Sequence, residues 1–108
     1  MTQKSPTNKE LVFNLVNKVP KGKIVSFGQI GNLINLNPRV VGFIMSGMNQ
    51  SEMGKVPWHR VVNRDGFISS SKLGDKGLLQ EALLKSEGIK VKDFQITQPK
   101  LYWYDLKL

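Results

Sequence analysis

Apolar side chains recur at helical spacing in the first third of the chain, and a capping motif opens each run. Thr7 with Glu10, and Ser26 with Gln29, have the Ser/Thr-x-x-Glu/Gln spacing of a capping box. The apolar positions after these caps are Leu11, Val12, Leu15, Val16 and Val19 in the first run, and Ile30, Leu33 and Ile34 in the second. The pattern predicts two amphipathic helices, the first of which ends at Pro20.

A third helix is predicted to begin at Pro38. Asn37 suits the N-cap, and proline is favoured at the first helical position. The residues expected to face inward are Val41, Ile44, Met45 and Met48. Because only a tight turn separates this helix from the one before it, the two are predicted to form a helix-turn-helix.

The middle of the chain is predicted to hold a small β element. Residues 60–62 and 67–68 favour strands, and Asn-Arg-Asp-Gly at residues 63–66 is typical of a turn. We therefore expect a short hairpin or wing here. Residues 50–56 are predicted to be a loop, and residues 69–74 a flexible surface loop.

One more helix is predicted near the C-terminus. Residues 78–87 place Leu79, Ala82 and Leu83 on one stripe, and Gly88 is typical of a residue that follows a helix end. The aromatic tail at residues 101–106 is expected to pack back on the domain. Together the patterns predict a single domain over residues 1–108, mainly α with a small β element.

Composition limits the possible chemistry. With no cysteine and a single histidine in 108 residues, disulfides, thiol nucleophiles and Cys- or His-clustered metal sites are not expected. No apolar stretch has the length of a membrane span, and the N-terminus lacks an apolar signal core. We expect an intracellular protein without a cofactor, in the cytoplasm or nucleoid, or in the nucleus of a eukaryote.

The formal net charge of +8 points to a polyanionic partner, such as duplex DNA. Residues 1–49 hold six Lys or Arg against one acid. The excess is thus densest around the predicted helix-turn-helix, as contact with phosphates requires. Lysine-rich surfaces are also a common route to solubility, so the charge has a second explanation.

Residues 57–61, which read Pro-Trp-His-Arg-Val, carry the most specific motif. They resemble the active-site segment of the O6-alkylguanine-DNA alkyltransferases, Pro-Cys-His-Arg-Val, in which the cysteine accepts the alkyl group. Trp58 stands at the nucleophile position, as in the alkyltransferase-like proteins, which bind alkylated guanine without repairing it. Alkyl transfer needs a soft nucleophile such as a thiolate, and indole is not one.

The resemblance spans residues 9–88. It implies the alkyltransferase C-terminal domain fold, a non-catalytic protein, and a helix-turn-helix that binds the minor groove. In the family, an arginine before the Val-Gly step of the third helix replaces the flipped nucleotide in the base stack, and Arg39 matches it. The first turn of a helix disfavours a cation, so local structure gains nothing from Arg39. The implied DNA-binding residues are Arg39, Phe27, Gly28, Pro38, Gly42 and Arg64.

Several of these residues have a second interpretation. Gly42 suits either close approach to the DNA backbone or tight helix packing. Phe27 stands where the family normally has tyrosine, and its alternative interpretation is a core residue. Arg64 is either a phosphate contact or a solvated turn residue.

The resemblance also implies a pocket for the flipped base. Its implied lining residues are Trp58, Phe27, Met45, Pro57, Val61, Ser71 and Lys72. Ser71 and Lys72 occupy the slot where the alkyltransferase-like proteins carry an arginine, so lesion discrimination is expected to depart from the family norm. Trp58 suits a hydrophobic core as well as a pocket wall.

His59 and Glu87 match a proton relay of the active transferases. Without a nucleophile, we expect their hydrogen bonds to hold the pocket loop and the last helix together. Arg60 is expected to tie the loop to neighbouring carbonyls.

The sequence thus predicts a monomer that binds O6-alkylguanine in duplex DNA by base flipping and marks it for nucleotide excision repair proteins. The alternative is a winged-helix-like DNA-binding or transcriptional module without a lesion pocket. Such a module would bind a normal sequence without preferring alkylated guanine. An enzyme is not expected, because no catalytic constellation remains without the cysteine.

Overall fold

Five α-helices and two pairs of short strands form the fold in the computed structural model, which describes residues 5–68, 70 and 74–108. The helices are α1 (Asn8–Val16), α2 (Phe27–Ile34), α3 (Pro38–Ser46), α4 (Gln50–Lys55) and α5 (Asp75–Ser86). The strands are β1 (Val25–Ser26), β2 (Val61–Val62), β3 (Val91–Lys92) and β4 (Gln95–Ile96), and two short 3-10 helices cover Trp58–Arg60 and Pro99–Leu101. Within these ranges, no helix is both long and apolar enough to cross a bilayer.

The three predicted N-terminal helices are confirmed, together with their caps. The Thr7 hydroxyl accepts a hydrogen bond from the Glu10 amide at 3.1 Å and starts α1. Both halves of the second capping box are present, since Ser26 and Gln29 exchange side-chain to backbone hydrogen bonds at 3.0 and 2.9 Å. Asn37 caps α3, with Pro38 in its first turn.

The α2–α3 turn makes the predicted helix-turn-helix. Asn35 ends α2 in the left-handed conformation with φ of 59°. A Cβ on Gly31 would overlap the carbonyl oxygen of Leu36, so the close return of the chain requires glycine there. Val41 and Met45 are buried as predicted, whereas Ile44 is only half-buried.

Residues 50–55 form a helix, so the predicted loop is wrong. Asn49 and Glu52 make a reciprocal capping box, with hydrogen bonds of 2.9 and 3.0 Å. The caps at this N-terminus outweigh the cost of Gly54 inside a short helix.

The predicted hairpin is also wrong, although its turn is confirmed. β2 pairs in parallel with β1, and Phe67 bridges to Gln95 instead of forming a ladder with β2. The Asn63 side-chain oxygen accepts a hydrogen bond from the Phe67 amide at 2.9 Å, which closes the turn locally. Gly66 has φ of +81°, and a Cβ there would press on Pro99. The strand partners lie far apart in sequence, where local patterns do not specify pairing.

α5 confirms the last predicted helix, but its inward stripe differs from the prediction. Leu79 is 48% exposed, and Ala82 is exposed. The buried positions are Gly77, Gln80 and Leu84. A polar side chain lies at the centre of the buried face because it is needed for hydrogen bonds, which an apolar pattern does not reveal.

Ser70 is buried, contrary to the predicted surface loop. The remainder of that predicted loop, residues 69 and 71–73, lies outside the described residues.

Two clusters of buried side chains form the core. The first lies around α1, α2 and α3 and includes Trp58, and the second lies under α5 and the β3–β4 pair. The C-terminal tail packs back as predicted. The Ile24 amide donates to the Tyr102 carbonyl, and the Tyr104 amide donates to the Ile24 carbonyl, both at 2.9 Å.

Candidate nucleic-acid interface

A cavity of about 390 Å³ lies beside the third helix, within the size range of small-molecule pockets. α3 supplies nearly half of its walls, and α2, the first 3-10 helix, β2 and α5 supply most of the others. The lining residues are Phe27, Pro38, Arg39, Gly42, Met45, Ser46, Trp58, Val61, Ser70, Lys76 and Gln80. The surface that the helix-turn-helix presents is therefore continuous with a pocket.

Trp58 is both a core residue and a pocket wall. It is 7% exposed and belongs to the first core cluster. It lines the cavity described above and also a second one of about 430 Å³, which Pro57, His59 and Arg60 line as well. A core position and a wall position are therefore compatible for this residue.

A lysine completes the Trp58 wall. The Lys76 ammonium lies 5.4 Å from the centre of the Trp58 ring, within the range of a cation–π interaction. With Arg39 it gives the cavity two cations, and no Asp or Glu is among the described residues that line it. Sequence reasoning missed Lys76, because only the fold brings the first turn of α5 next to Trp58.

Gln80 fixes the wall from behind. Its amide donates to the backbone carbonyls of His59 and Val61, at 3.1 and 3.0 Å. The Ser70 hydroxyl donates to the Gln80 side-chain oxygen. These bonds join α5 to the segment that carries Trp58. Sequence reasoning missed Gln80, since a lone glutamine in a helix gives no local signal.

Glu87 ties together three segments of the chain. Its carboxylate accepts hydrogen bonds from His59 Nε2 and Arg60 Nη2, both at 2.7 Å, and from the Gly22 amide at 3.1 Å. Arg60 also donates to the Val19 carbonyl at 2.8 Å. The hydrogen bonds expected of His59, Glu87 and Arg60, between the pocket loop and its surroundings, are thus present in the structure.

The environment of Glu87 keeps this carboxyl ionised. Burial opposes the charged form, but the hydrogen bonds from Arg60, His59 and the Gly22 amide outweigh it and lower the pKa of Glu87 from 4.5 to about 2. Because a carboxylate only accepts, His59 Nε2 must be the donor of their shared hydrogen bond. His59 lines the second cavity and not the one beside α3.

The structure gathers most of the predicted site residues at one place. Those that line the cavity beside α3 are Phe27, Pro38, Arg39, Gly42, Met45, Trp58 and Val61. Pro57 lines the second cavity instead, and Gly28 and Arg64 line neither. Arg64 is exposed in the turn before Gly66. Ser71 and Lys72 lie outside the described residues. In the part of the chain that is described, no three His, Asp or Glu side chains are grouped so as to hold a metal ion.

The space around Gly42 bears on why glycine stands there. A Cβ at this position would lie 3.9 Å from the Phe27 ring, which is ordinary van der Waals contact. Helix packing therefore leaves room for a methyl group. Because Gly42 has no side chain, the surface of α3 stays low on the side that lines the cavity.

Residues 7–89 match the family model of the 6-O-methylguanine DNA methyltransferase DNA-binding domain. The chain belongs to this family. The resemblance seen in the sequence is thereby confirmed.

Two kinds of relative match the chain. Alkyltransferase-like protein 1 of Schizosaccharomyces pombe is 27% identical over 99 residues, covering 85% of this chain and 90% of the relative. Methylated-DNA–protein-cysteine methyltransferases of Saccharolobus islandicus are 35% identical over 82 residues, or 76% of this chain. The chain spans about half the length of these methyltransferases, 51%.

The solved structures confirm the predicted fold class. The S. pombe Atl1 structure in complex with damaged DNA containing O6-carboxymethylguanine has a TM-score of 0.77 at 26% identity, covering 89% of this chain and 94% of that one. A point variant of Mycobacterium tuberculosis OGT has the same fold, with a TM-score of 0.63 at 22% identity over 82% of this chain and 53% of that one.

Proposed function

We propose that this protein binds O6-alkylguanine in duplex DNA and leaves the alkyl group in place. The observation that carries the proposal is the cavity beside α3, in which Trp58 forms a wall at the family's nucleophile position. The chain has no cysteine that could take its place. The S. pombe relative, solved with damaged DNA, supports the same kind of ligand.

The duplex docks on the exposed side of the helix-turn-helix through its minor groove. Arg39 lies at the start of α3, is exposed, and lines the cavity. From there the guanidinium enters the base stack when the lesion leaves it. The net charge of +8 supplies the phosphate attraction that any such docking needs.

The flipped base enters the cavity and stacks on apolar walls. Trp58, Met45 and Val61 are all buried and bring apolar or aromatic surface to the pocket. Lys76 places a donor near Trp58, within reach of a pocket occupant that carries acceptor atoms such as guanine O6 and N7. Flipping costs a few kcal/mol, and less for a weakly paired lesion, which adds selectivity.

The bound lesion stays unrepaired because the chain has no cysteine and Trp58 stands at the nucleophile position among the described residues that line the cavity. Indole is not a soft nucleophile. His59, which is hydrogen-bonded to Glu87, lines the second cavity and not this one. The function that follows is to mark damage inside the cell for excision of the nucleotide by other proteins. We propose that the protein acts as a monomer in this role.

The test compares two duplexes of identical sequence, one with O6-methylguanine and one with guanine, by fluorescence anisotropy. We expect tighter binding of the damaged duplex. In parallel, a duplex with a radiolabelled O6-methyl group is incubated with excess protein, and an active cysteine methyltransferase serves as the positive control. No label should move to this protein.

Two outcomes contradict the proposal. Equal affinity for both duplexes favours a winged-helix-like module without a lesion pocket. Stoichiometric transfer of label shows that the protein is a repair enzyme after all.

A further inference from the structure

An exposed phenylalanine stands on α3, next to the proposed DNA-contacting arginine. Phe43 is 80% exposed, more than any other large hydrophobic side chain in the described residues, and Val40 is 40% exposed. On a helix, residues three and four apart are neighbours, so Phe43 lies beside both Val40 and Arg39. An aromatic side chain this exposed gives nothing to the core and invites a partner.

The three faces of α3 show where that partner lies. Val41 and Met45 are buried, and Arg39, Gly42, Met45 and Ser46 line the cavity. At about 100° per residue, Phe43 follows Arg39 by about 40° around the helix, on the side away from Gly42. A duplex that reaches the cavity through Arg39 must therefore also cover Phe43.

We propose that Phe43, assisted by Val40, is an apolar wedge that enters the DNA minor groove beside the arginine. This inference rests on the proposed function. Phe43 lies one turn after Arg39, about 6 Å along the helix axis, and base pairs stack about 3.4 Å apart. The wedge thus contacts the groove one or two base steps from the flipped nucleotide.

The chemistry of the side chain suits this position. Minor-groove proteins insert apolar side chains, phenylalanine among them, to unstack a base step and bend the duplex. The wedge reads no base edge and neutralises no phosphate. It should hold damaged and undamaged duplexes alike, and stabilise a bent form that leaves the cavity open to the lesion.

The test uses Phe43→Ala, with Leu108→Ala as the matched control. Leu108 is also strongly exposed, at 75%. The Lys18 ammonium donates a hydrogen bond to the carbonyl of Lys107, which places Leu108 close to the end of α1. Because both side chains are exposed, neither substitution should change the urea midpoint of unfolding. Phe43→Leu, which stays apolar, should recover part of any loss.

We expect Phe43→Ala to weaken binding of both duplexes about tenfold, the effect of burying about 55 Å² of apolar surface. The slope of log K against log salt should not change, because no cation is lost. Energy transfer between dyes at the two duplex ends should show a smaller bend. Leu108→Ala should change none of these quantities.

The wedge is overturned if affinity and bend stay within twofold of the wild type, or if the loss is confined to the damaged duplex. A drop in self-association of the protein with DNA binding intact would assign Phe43 to a contact between copies, and also overturns it. The proposed function fails separately, when the wild type shows no preference for the lesion. The wedge is still measurable then on the undamaged duplex.

Discussion

The substitution Glu87→Gln tests how the wall that carries Trp58 is held in place. Glutamine keeps the shape of the side chain but loses its charge, and its amide nitrogen brings a donor toward donors. The Glu87 side chain is only 8% exposed, and Arg60, which donates to it through two nitrogens, is 16% exposed. Removing the carboxylate leaves a nearly buried guanidinium without its counter-charge.

The lowered pKa of Glu87 gives the expected loss of folding free energy. The interval from 4.5 to about 2, at about 1.36 kcal/mol per pKa unit, corresponds to about 3 kcal/mol of folding free energy. Loss of one partner of a buried ion pair costs a similar amount, about 3–5 kcal/mol. Because the folded-state pKa of Glu87 is the lower one, the contribution is complete above about pH 4.5 and is lost as the pH falls toward 2. At pH 3 about 1 kcal/mol should remain.

Urea unfolding followed by tryptophan fluorescence at pH 7 and pH 3 measures both values. The variant should be about 3 kcal/mol less stable than the wild type at pH 7, and the gap should shrink to about 1 kcal/mol at pH 3. Asp105→Asn is the control, since its ion pair with Lys107 is exposed and 3.5 Å long. A gap that is equal at both pH values would refute the electrostatic account of this network.

Two further substitutions address the side of α3 that is proposed to face DNA, with anisotropy for affinity and urea unfolding for stability. Arg39→Ala should weaken binding of the damaged duplex by about 1–3 kcal/mol at unchanged stability, the usual size of a lost base contact. Unchanged affinity would make Arg39 an ordinary solvated residue. Gly42→Ala should keep its stability, because the new Cβ meets the Phe27 ring at 3.9 Å, and should lose affinity if the DNA backbone comes close. The reverse result would assign Gly42 to helix packing.

Local signals predicted the N-terminal half of the fold well. Caps at Thr7, Ser26 and Asn37 mark the positions where helices begin. Each cap is a hydrogen bond between residues at most three apart in the sequence. The same logic applied to Asn49 with Glu52 predicts α4, but Gly54 led to a loop. That error came from weighing one poor helix former above a reciprocal pair of hydrogen bonds.

Local sequence patterns did not predict the pairing of strands from distant segments. β2 finds its partner in β1, and Phe67 finds Gln95, each across a long stretch of chain. The same limit applies to the cavity. The family resemblance carried by the motif around Trp58 predicted the pocket and its residues on α3. Lys76 and Gln80 reach the pocket only through the packing of α5. Residues contributed by a distant helix leave no spacing rule in the sequence.

Glu87 shows why catalytic-looking residues persist in a chain that lacks the nucleophile. The carboxylate binds His59, Arg60 and the Gly22 amide, so its loss would loosen three segments at once. Architecture alone is sufficient reason to keep it. The match of His59 and Glu87 to a proton relay is therefore no argument for chemistry.

The proposed function, binding without a covalent step, places a demand on the rest of the interface. A transferase is committed once the alkyl group moves, but a protein that only binds marks its lesion for as long as the complex lasts. That lifetime is set by dissociation, on which most differences in affinity between related complexes depend. Contacts outside the pocket prolong it as effectively as contacts within it. An exposed apolar side chain on α3, such as Phe43, is unfavourable in the free protein. In a protein that holds its target without reacting with it, the same side chain prolongs the complex.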